Sequence, residues 1–287
     1  MAENLGLCRM SGSAEKGWRK MKQILSKLGL LLIVPGTITL PSAALAQDSF
    51  ADAFWQYRAS TGIDVSSGYY GARERTTIVY VPATLQAAKG PWTARAVFSY
   101  LEVSGPALLI DGSSAGESLG VRTSGKADGP GDINLYASYS FESLYDRGLF
   151  IDLTGRVKAP TASFNKGLGT GAWDFAVQLD AAQAIGDFVP FATLGYKFSG
   201  DPTGFALRNV VYGSAGAQYS LNDTITFGAY YDIRQSAIRG AATPQEGTGY
   251  VNVRLSDDWS LLAYGVKGFS DNSPTVGGGL SITYRWR

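Results

Sequence analysis

From about residue 60 onward, apolar and polar positions alternate with a period of two, in segment after segment. The clearest case is 132–142. Ile133, Leu135, Ala137, Tyr139 and Phe141 fall on one face; Asp132, Asn134, Tyr136, Ser138, Ser140 and Glu142 fall on the other. Ile151, Leu153, Val157 and Ala159 then oppose Asp152, Thr154, Arg156 and Lys158, and Trp173, Phe175, Val177 and Leu179 oppose Asp174, Gln178 and Asp180. Period two is the strand signature. By itself it also fits a soluble sandwich with one wet face. Three features favour a membrane barrel. The segments run about 10–13 residues, against five or six for an average strand, which is long enough to cross a bilayer when tilted. Connections alternate between short turns (Lys89-Gly90-Pro91, Ile185-Gly186-Asp187, Leu221-Asn222-Asp223) and longer Gly/Ser/Pro-rich loops at 104–131, 161–172, 199–206, 235–248 and 270–275. Aromatic residues such as Trp92, Tyr100, Phe150, Trp173, Trp259 and Trp286 mark segment ends, where interfacial girdles belong.

The pattern predicts strands near 60–71, 73–83, 92–103, 131–143, 148–160, 172–185, 188–199, 207–220, 223–235, 248–256, 259–269 and 276–286. The fold class expected is all-β, a transmembrane antiparallel up-and-down β-barrel of about twelve strands with both termini in the periplasm. Ten or fourteen strands stay compatible with the same pattern.

Ahead of the strands, Lys22 and Lys27 form a basic region, Leu28 to Leu40 an apolar run, and Ala44-Leu45-Ala46 a small-residue cleavage site. The apolar run is shorter than the ~20 residues of a spanning helix, and Pro35-Gly36 interrupts it. Residues 1–46 therefore read as an export signal cut before Gln47, with 47–287 as the barrel. Residues 1–20 precede the basic start at Met21, as an extension from an upstream start codon or a lengthened basic region.

Composition narrows the chemistry. The single cysteine is Cys8, so the chain after Gln47 has no thiol for a disulfide or a thiolate metal site. The chain has no histidine, which excludes Ser-His hydrolysis and His-ligated metal catalysis. Charge is close to balanced at +1, and without residues 1–46 it is 19 basic against 22 acidic, or −3. No basic patch suggests nucleic acid. The glycines Gly167, Gly169 and Gly171 lack the Lys-Ser/Thr pair and following helix of a phosphate loop, and read as a turn at a strand tip.

With the polar faces turned inward, the bore carries Asp64, Asp132, Glu142, Asp152, Asp174, Asp180 and Asp232 against Arg75, Arg95, Arg156, Lys158, Lys197, Arg208, Arg234, Arg254, Lys267 and Arg285. So many charges need water or one another. The pore-lining candidates are Arg156, Lys158, Asp174, Asp180, Arg208, Asp232 and Arg254, with no catalytic residue, metal or cofactor. Ten basic residues against seven acidic give a weak anion bias. The alternative is a structural or adhesive barrel whose paired charges plug the lumen. A carboxylate enzyme is disfavoured, because Asp174 and Asp180 stand about 20 Å apart along one strand.

Thr154-Gly155-Arg156-Val157-Lys158-Ala159-Pro160-Thr161, followed by Gly167-Leu168-Gly169-Thr170-Gly171 and Asp174, resembles the family named for the meta-pathway of phenol degradation. The likeness continues through Gly195-Tyr196-Lys197-Phe198-Ser199-Gly200-Asp201 to Tyr284-Arg285-Trp286 and covers roughly residues 145–287. It implies an outer-membrane channel for passive uptake of small solutes, with aromatic catabolites as one class, and transfers no ligand residues. The partners expected are outer-membrane lipid and lipopolysaccharide, the barrel-assembly machinery during biogenesis, and a small-molecule solute. The last segment, with Gly278, Leu280, Ile282, Tyr284 and Trp286 on one face, resembles an assembly signal extended by Arg287.

Overall fold

The structure, a computed structural model, describes residues 54–106, 125–202, 204 and 206–287, with the backbone of 108–109 and 116–117. The export signal expected at 1–46 and most of the loop expected at 104–131 lie outside the described residues.

Twelve antiparallel strands close into a barrel. They are β1 (Gln56–Gly68), β2 (Thr76–Lys89), β3 (Trp92–Ser104), β4 (Lys126–Pro130, resuming as Ile133–Ser140), β5 (Leu149–Ala159), β6 (Asp174–Gln183), β7 (Phe188–Phe198), β8 (Val210–Ser220), β9 (Ile225–Arg234), β10 (Gln245–Arg254), β11 (Trp259–Gly268) and β12 (Pro274–Trp286). Each pairs with its sequence neighbours, and β1 pairs with β12 from Tyr57↔Trp286 upward to shut the seam. Closure leaves no edge, as lipid requires. Ten to fourteen residues per strand, rising about 3.3 Å each at a tilt of about 45°, climb roughly 23–33 Å, enough for the apolar band of about 25 Å.

Side-chain exposure is inverted relative to a soluble protein. Leu85, Leu194, Phe175 and Leu280 are more than half exposed, whereas Asp152, Lys158 and Asp180 are at most 1% exposed. Large apolar side chains that face outward in a continuous band mark a lipid surface. Aromatic contacts ring the short-turn end, where Trp92 packs on Tyr139, Trp259 on Tyr284, and Tyr57 stacks on Trp286 at 5.6 Å. A second set, Tyr196 with Phe198 and Tyr231 with Phe269, marks the long-loop end. No helix among the described residues is long and apolar enough to cross a membrane; the strands make the crossing.

Three local departures from the sequence pattern bear on the bore. β1 begins four residues before the expected start, which adds Arg58 to the inner wall. The strands expected at 60–71 and 73–83 are instead joined by a loop, 69–75, whose Tyr70 has φ of +50° and lies fully buried, its hydroxyl donating to Ser66 Oγ at 2.8 Å. In β4, Gly131 and Asp132 interrupt the ladder, so the inward parity shifts from Ala127 and Gly129 to Asp132, Asn134 and Tyr136. An extra residue in one strand has this effect, re-aiming the side chain that follows.

Candidate functional site

The bore is the candidate site, and three layers can be followed down its axis. At the extracellular end the β5–β6 loop folds inward. Leu168 and Thr170 are buried at 0% and 2% exposure, so the glycine segment is a turn tucked into the barrel mouth and not a projecting tip. Leu168 and Ala162 join Tyr70, Ile78, Tyr80, Leu101 and Val103 in one apolar cluster. Lys158 sits at the centre of this layer. Its ammonium lies 2.9 Å from Asp174 Oδ2 and 3.4 Å from Asp132 Oδ2, and donates to Thr170 Oγ1 at 2.9 Å. Each carboxylate also holds backbone: Asp132 Oδ1 accepts from the Ala162 amide and Asp174 Oδ1 from the Gly200 amide, both at 2.9 Å. One cation thus ties β4, the β5–β6 loop and the β7–β8 loop together. Gly169 is needed there, because a Cβ on it would stand 2.8 Å from Asp132 Oδ2.

The middle layer mixes charge and aromatic rings. Asp152 and Asp180 face each other across β5 and β6. Asp180 accepts from Thr193 Oγ1 at 2.6 Å and from Gln178 Nε2 at 2.8 and 2.9 Å. Arg156 donates Nε and Nη2 to Asn134 Oδ1 at 3.0 and 2.8 Å. The Arg95 guanidinium lies 3.8 Å from the centre of the Tyr136 ring, within the range of a cation–π contact. Around the opposite wall, each of four inward tyrosines stands directly across from a glycine on the next strand: Tyr212↔Gly195, Tyr230↔Gly216, Tyr250↔Gly228 and Tyr264↔Gly279. The rings of Tyr212, Tyr250 and Tyr264 lie over their glycines, and a Cβ on Gly195 or Gly228 would meet a ring carbon at 2.2 or 2.5 Å. The glycines let these rings lie close along the wall. Their hydroxyls reach the neighbouring wall, Tyr212 donating to Gln178 Oε1 at 3.0 Å and Tyr264 to Asp64 Oδ2 at 2.7 Å. Higher on this side Arg234 bridges Glu246 at 3.1 Å and Asp232 at 3.7 Å. The periplasmic layer holds Arg58, Arg254 and Arg285.

Of the residues singled out from sequence, Arg156, Lys158, Asp174, Asp180 and Asp232 all face inward and are buried, and Arg254 faces inward, half-buried, at the periplasmic end. The structure brings Lys158 and Asp174 together and leaves Asp180 with a different set of partners. Arg208 precedes β8 in the β7–β8 loop, and its Nε donates to the Ser236 carbonyl of the next long loop. Three other inward assignments are corrected. Glu142 lies exposed in a 3-10 segment, Glu142–Arg147, at a periplasmic turn; Arg75 is exposed in the β1–β2 loop; Lys267 is on the outward parity of β11. Arg58, Gln218 and the inward tyrosines 80, 212, 250 and 264 were missed, and Asn252, on the polar face of its segment, was not singled out. Their signal was parity: Tyr250 shares its face with Asn252 and Arg254, and Tyr212 shares its face with Ser214.

The fold has close counterparts among solved structures. The COG4313 outer membrane channel from Pseudomonas putida F1 superposes with a TM-score of 0.64 at 12% identity, over 81% of this chain and 95% of that one. The NanC porin superposes with a TM-score of 0.50 at 10% identity, over 79% of this chain and 98% of that one. Likeness at this identity establishes an outer-membrane barrel fold, and the lipid-facing band on this chain agrees with it; the protein resides in the bacterial outer membrane. No curated protein sequence matches the chain. The phenol-degradation family suggested by the short motifs is not the one whose profile fits. That profile covers residues 120–286, and by it the chain belongs to the family described as "Protein of unknown function (DUF3187)".

Proposed function

We propose that the protein is a passive outer-membrane channel for small polar or aromatic solutes, without catalytic activity, its bore lined by Arg156, Asp180, Asp232 and Arg254 and by the wall-hugging tyrosines. One observation carries this reading. Thr84 Oγ1, Ser214 Oγ, Asn252 Oδ1 and Arg58 Nε are buried inward-facing atoms with no hydrogen-bond partner among the described residues. Left dry, each costs about 1–3 kcal/mol, and small side-chain movements that open the packed bore to water remove that cost. Planar-bilayer recording with the purified full chain tests it. Discrete current steps are the expected result, and a silent bilayer at high protein density refutes the channel. A second reading, a barrel closed by its own loop, is favoured by the Lys158 latch and by the burial of Leu168. It predicts silence in the parent protein and current once the latch is broken.

A further inference from the structure

We infer that the periplasmic mouth of the bore is a binding site for a small organic acid, its carboxylate held by Arg58, Arg254 and Arg285 and its apolar body by Leu262 and the rings above it. This deepens the channel reading by naming a solute class. Arg58 and Arg285 stand directly opposite each other on β1 and β12. Like charges so placed repel, and Arg254 and Arg287 act on Arg285 with the same sign. The acids within reach of Arg285 are Asp257 and Asp258, on the β10–β11 turn, and Arg285 Nη2 donates to the Asp257 carbonyl at 2.9 Å. Arg254, Arg285, Arg287 and Trp286 line a cleft of about 590 Å³ together with those two acids. Arg58 stands behind it on the inner wall. It is 8% exposed, and its Nε is buried with no hydrogen-bond partner among the described residues. Guanidinium groups bind oxyanions by two parallel N–H donors, so an oxyanion between these arginines relieves the repulsion and, once Arg58 turns toward the cleft, satisfies its orphaned donor.

The same wall specifies the rest of the ligand. Arg254 pairs with Ser260; one inward step higher Asn252 pairs with Leu262, and two steps higher Tyr250 pairs with Tyr264. An inward step is two residues, about 7 Å. Leu262, Tyr250 and Tyr264 belong to one buried apolar cluster with Phe191 and Tyr230. A carboxylate at the arginines therefore points a six-membered ring or short alkyl chain up the bore toward Leu262, a direction in which phosphate has nothing to offer.

Isothermal titration of the full chain in detergent with benzoate, inorganic phosphate and benzyl alcohol tests the site. Saturable benzoate binding is expected, at least tenfold tighter than phosphate, with no heat from benzyl alcohol. Arg58→Gln and Arg285→Gln should each weaken benzoate at least tenfold, while heat-modifiable gel migration shows that the barrel still forms. No saturable benzoate binding, or unchanged binding in both variants, overturns the site; phosphate binding as tight as benzoate overturns the organic-acid assignment. Bilayer current from a protein that binds no benzoate refutes the site and leaves the channel standing. Benzoate binding by a silent protein does the reverse.

Discussion

Replacing Lys158 by methionine should release the β5–β6 loop from the bore. The latch holds two carboxylates and one ammonium, all at most 4% exposed at the side chain, so its formal charge is −1. Lys158→Met makes it −2 with no cation, and Thr170 loses its donor. Breaking a buried pair by removing one partner costs about 3–5 kcal/mol. The loop can relieve this by swinging out and admitting water to Asp132 and Asp174, so the cost appears as a shift in the opening equilibrium. At 1.4 kcal/mol per tenfold, open molecules should rise by roughly 10²- to 4 × 10³-fold. Lys166, exposed on this loop with its ammonium donating to the Asp128 carbonyl at 3.0 Å, is a built-in trypsin target. Cleavage after Lys166 should accelerate, and mean conductance in a planar bilayer should rise. Asp132→Asn provides the contrast: it brings the latch to neutrality, keeps an oxygen for the Ala162 amide and leaves Lys158 on Asp174, so both effects should be much smaller. Cleavage and conductance unchanged in Lys158→Met, or a larger effect from Asp132→Asn, would refute the charge argument.

Gly195→Ala should push Tyr212 off the wall and break its bond to Gln178. An overpacking cost of about 1–3 kcal/mol would lower the temperature of the folded-to-unfolded gel shift, while Gly155→Ala, whose new Cβ meets nothing closer than 4.0 Å, should leave it in place. Trp286→Ala removes the stack on Tyr57 at the closing seam, worth about 0.5–1.5 kcal/mol beyond area; a smaller folded fraction on refolding into lipid is expected, and an unchanged one contradicts a role in closure. N-terminal sequencing of protein from isolated outer membranes should begin at Gln47, and recovery of residues 21–46 in that material would dismiss the export signal.

The barrel was legible because its physics is periodic. In lipid each strand must put apolar groups outward, and the enclosed bore takes the polar groups, so parity alone gave the wall positions of Asp152, Arg156, Lys158, Asp180 and Asp232. What parity cannot carry is the sense of the connections. Nothing in Gly167-Leu168-Gly169-Thr170-Gly171 distinguishes a loop that projects from one that folds in; that choice depends on Lys158, Asp132 and the apolar cluster meeting at one level of the barrel. Arg208 and Glu142 were misplaced for a related reason. Each lies past the end of a strand, where alternation continues in the sequence after the ladder has stopped. Tyr80, Tyr212, Tyr250 and Tyr264 were overlooked because an aromatic residue counts as apolar by composition, even where its parity matches polar neighbours on the inner wall.

The axial order of the charges predicts one further behaviour. Inward positions carry eight basic residues (Arg58, Arg95, Arg156, Lys158, Lys197, Arg234, Arg254 and Arg285) against seven acidic ones (Asp64, Asp132, Asp152, Asp174, Asp180, Asp232 and Glu246). The ten-to-seven excess read from sequence thus shrinks to one. What replaces it is polarity along the bore: Arg58, Arg254 and Arg285 occupy the periplasmic end, which leaves five basic against seven acidic in the rest. Screening decides whether the two ends cancel. At 0.1 M salt the Debye length is about 10 Å, shorter than the barrel is tall, so each end acts on its own ions. With the extracellular side positive, cations enter through the acidic end and anions through the basic end, and both accumulate; with the sign reversed, both are depleted. A conducting bore should therefore pass more current with the extracellular side positive. The asymmetry should vanish at 1 M salt, where screening falls to about 3 Å, and in Arg254→Gln/Arg285→Gln at any salt. Equal currents at both polarities in 0.1 M salt, from channels inserted in one known direction, would show that the periplasmic arginines do not shape the field in the bore.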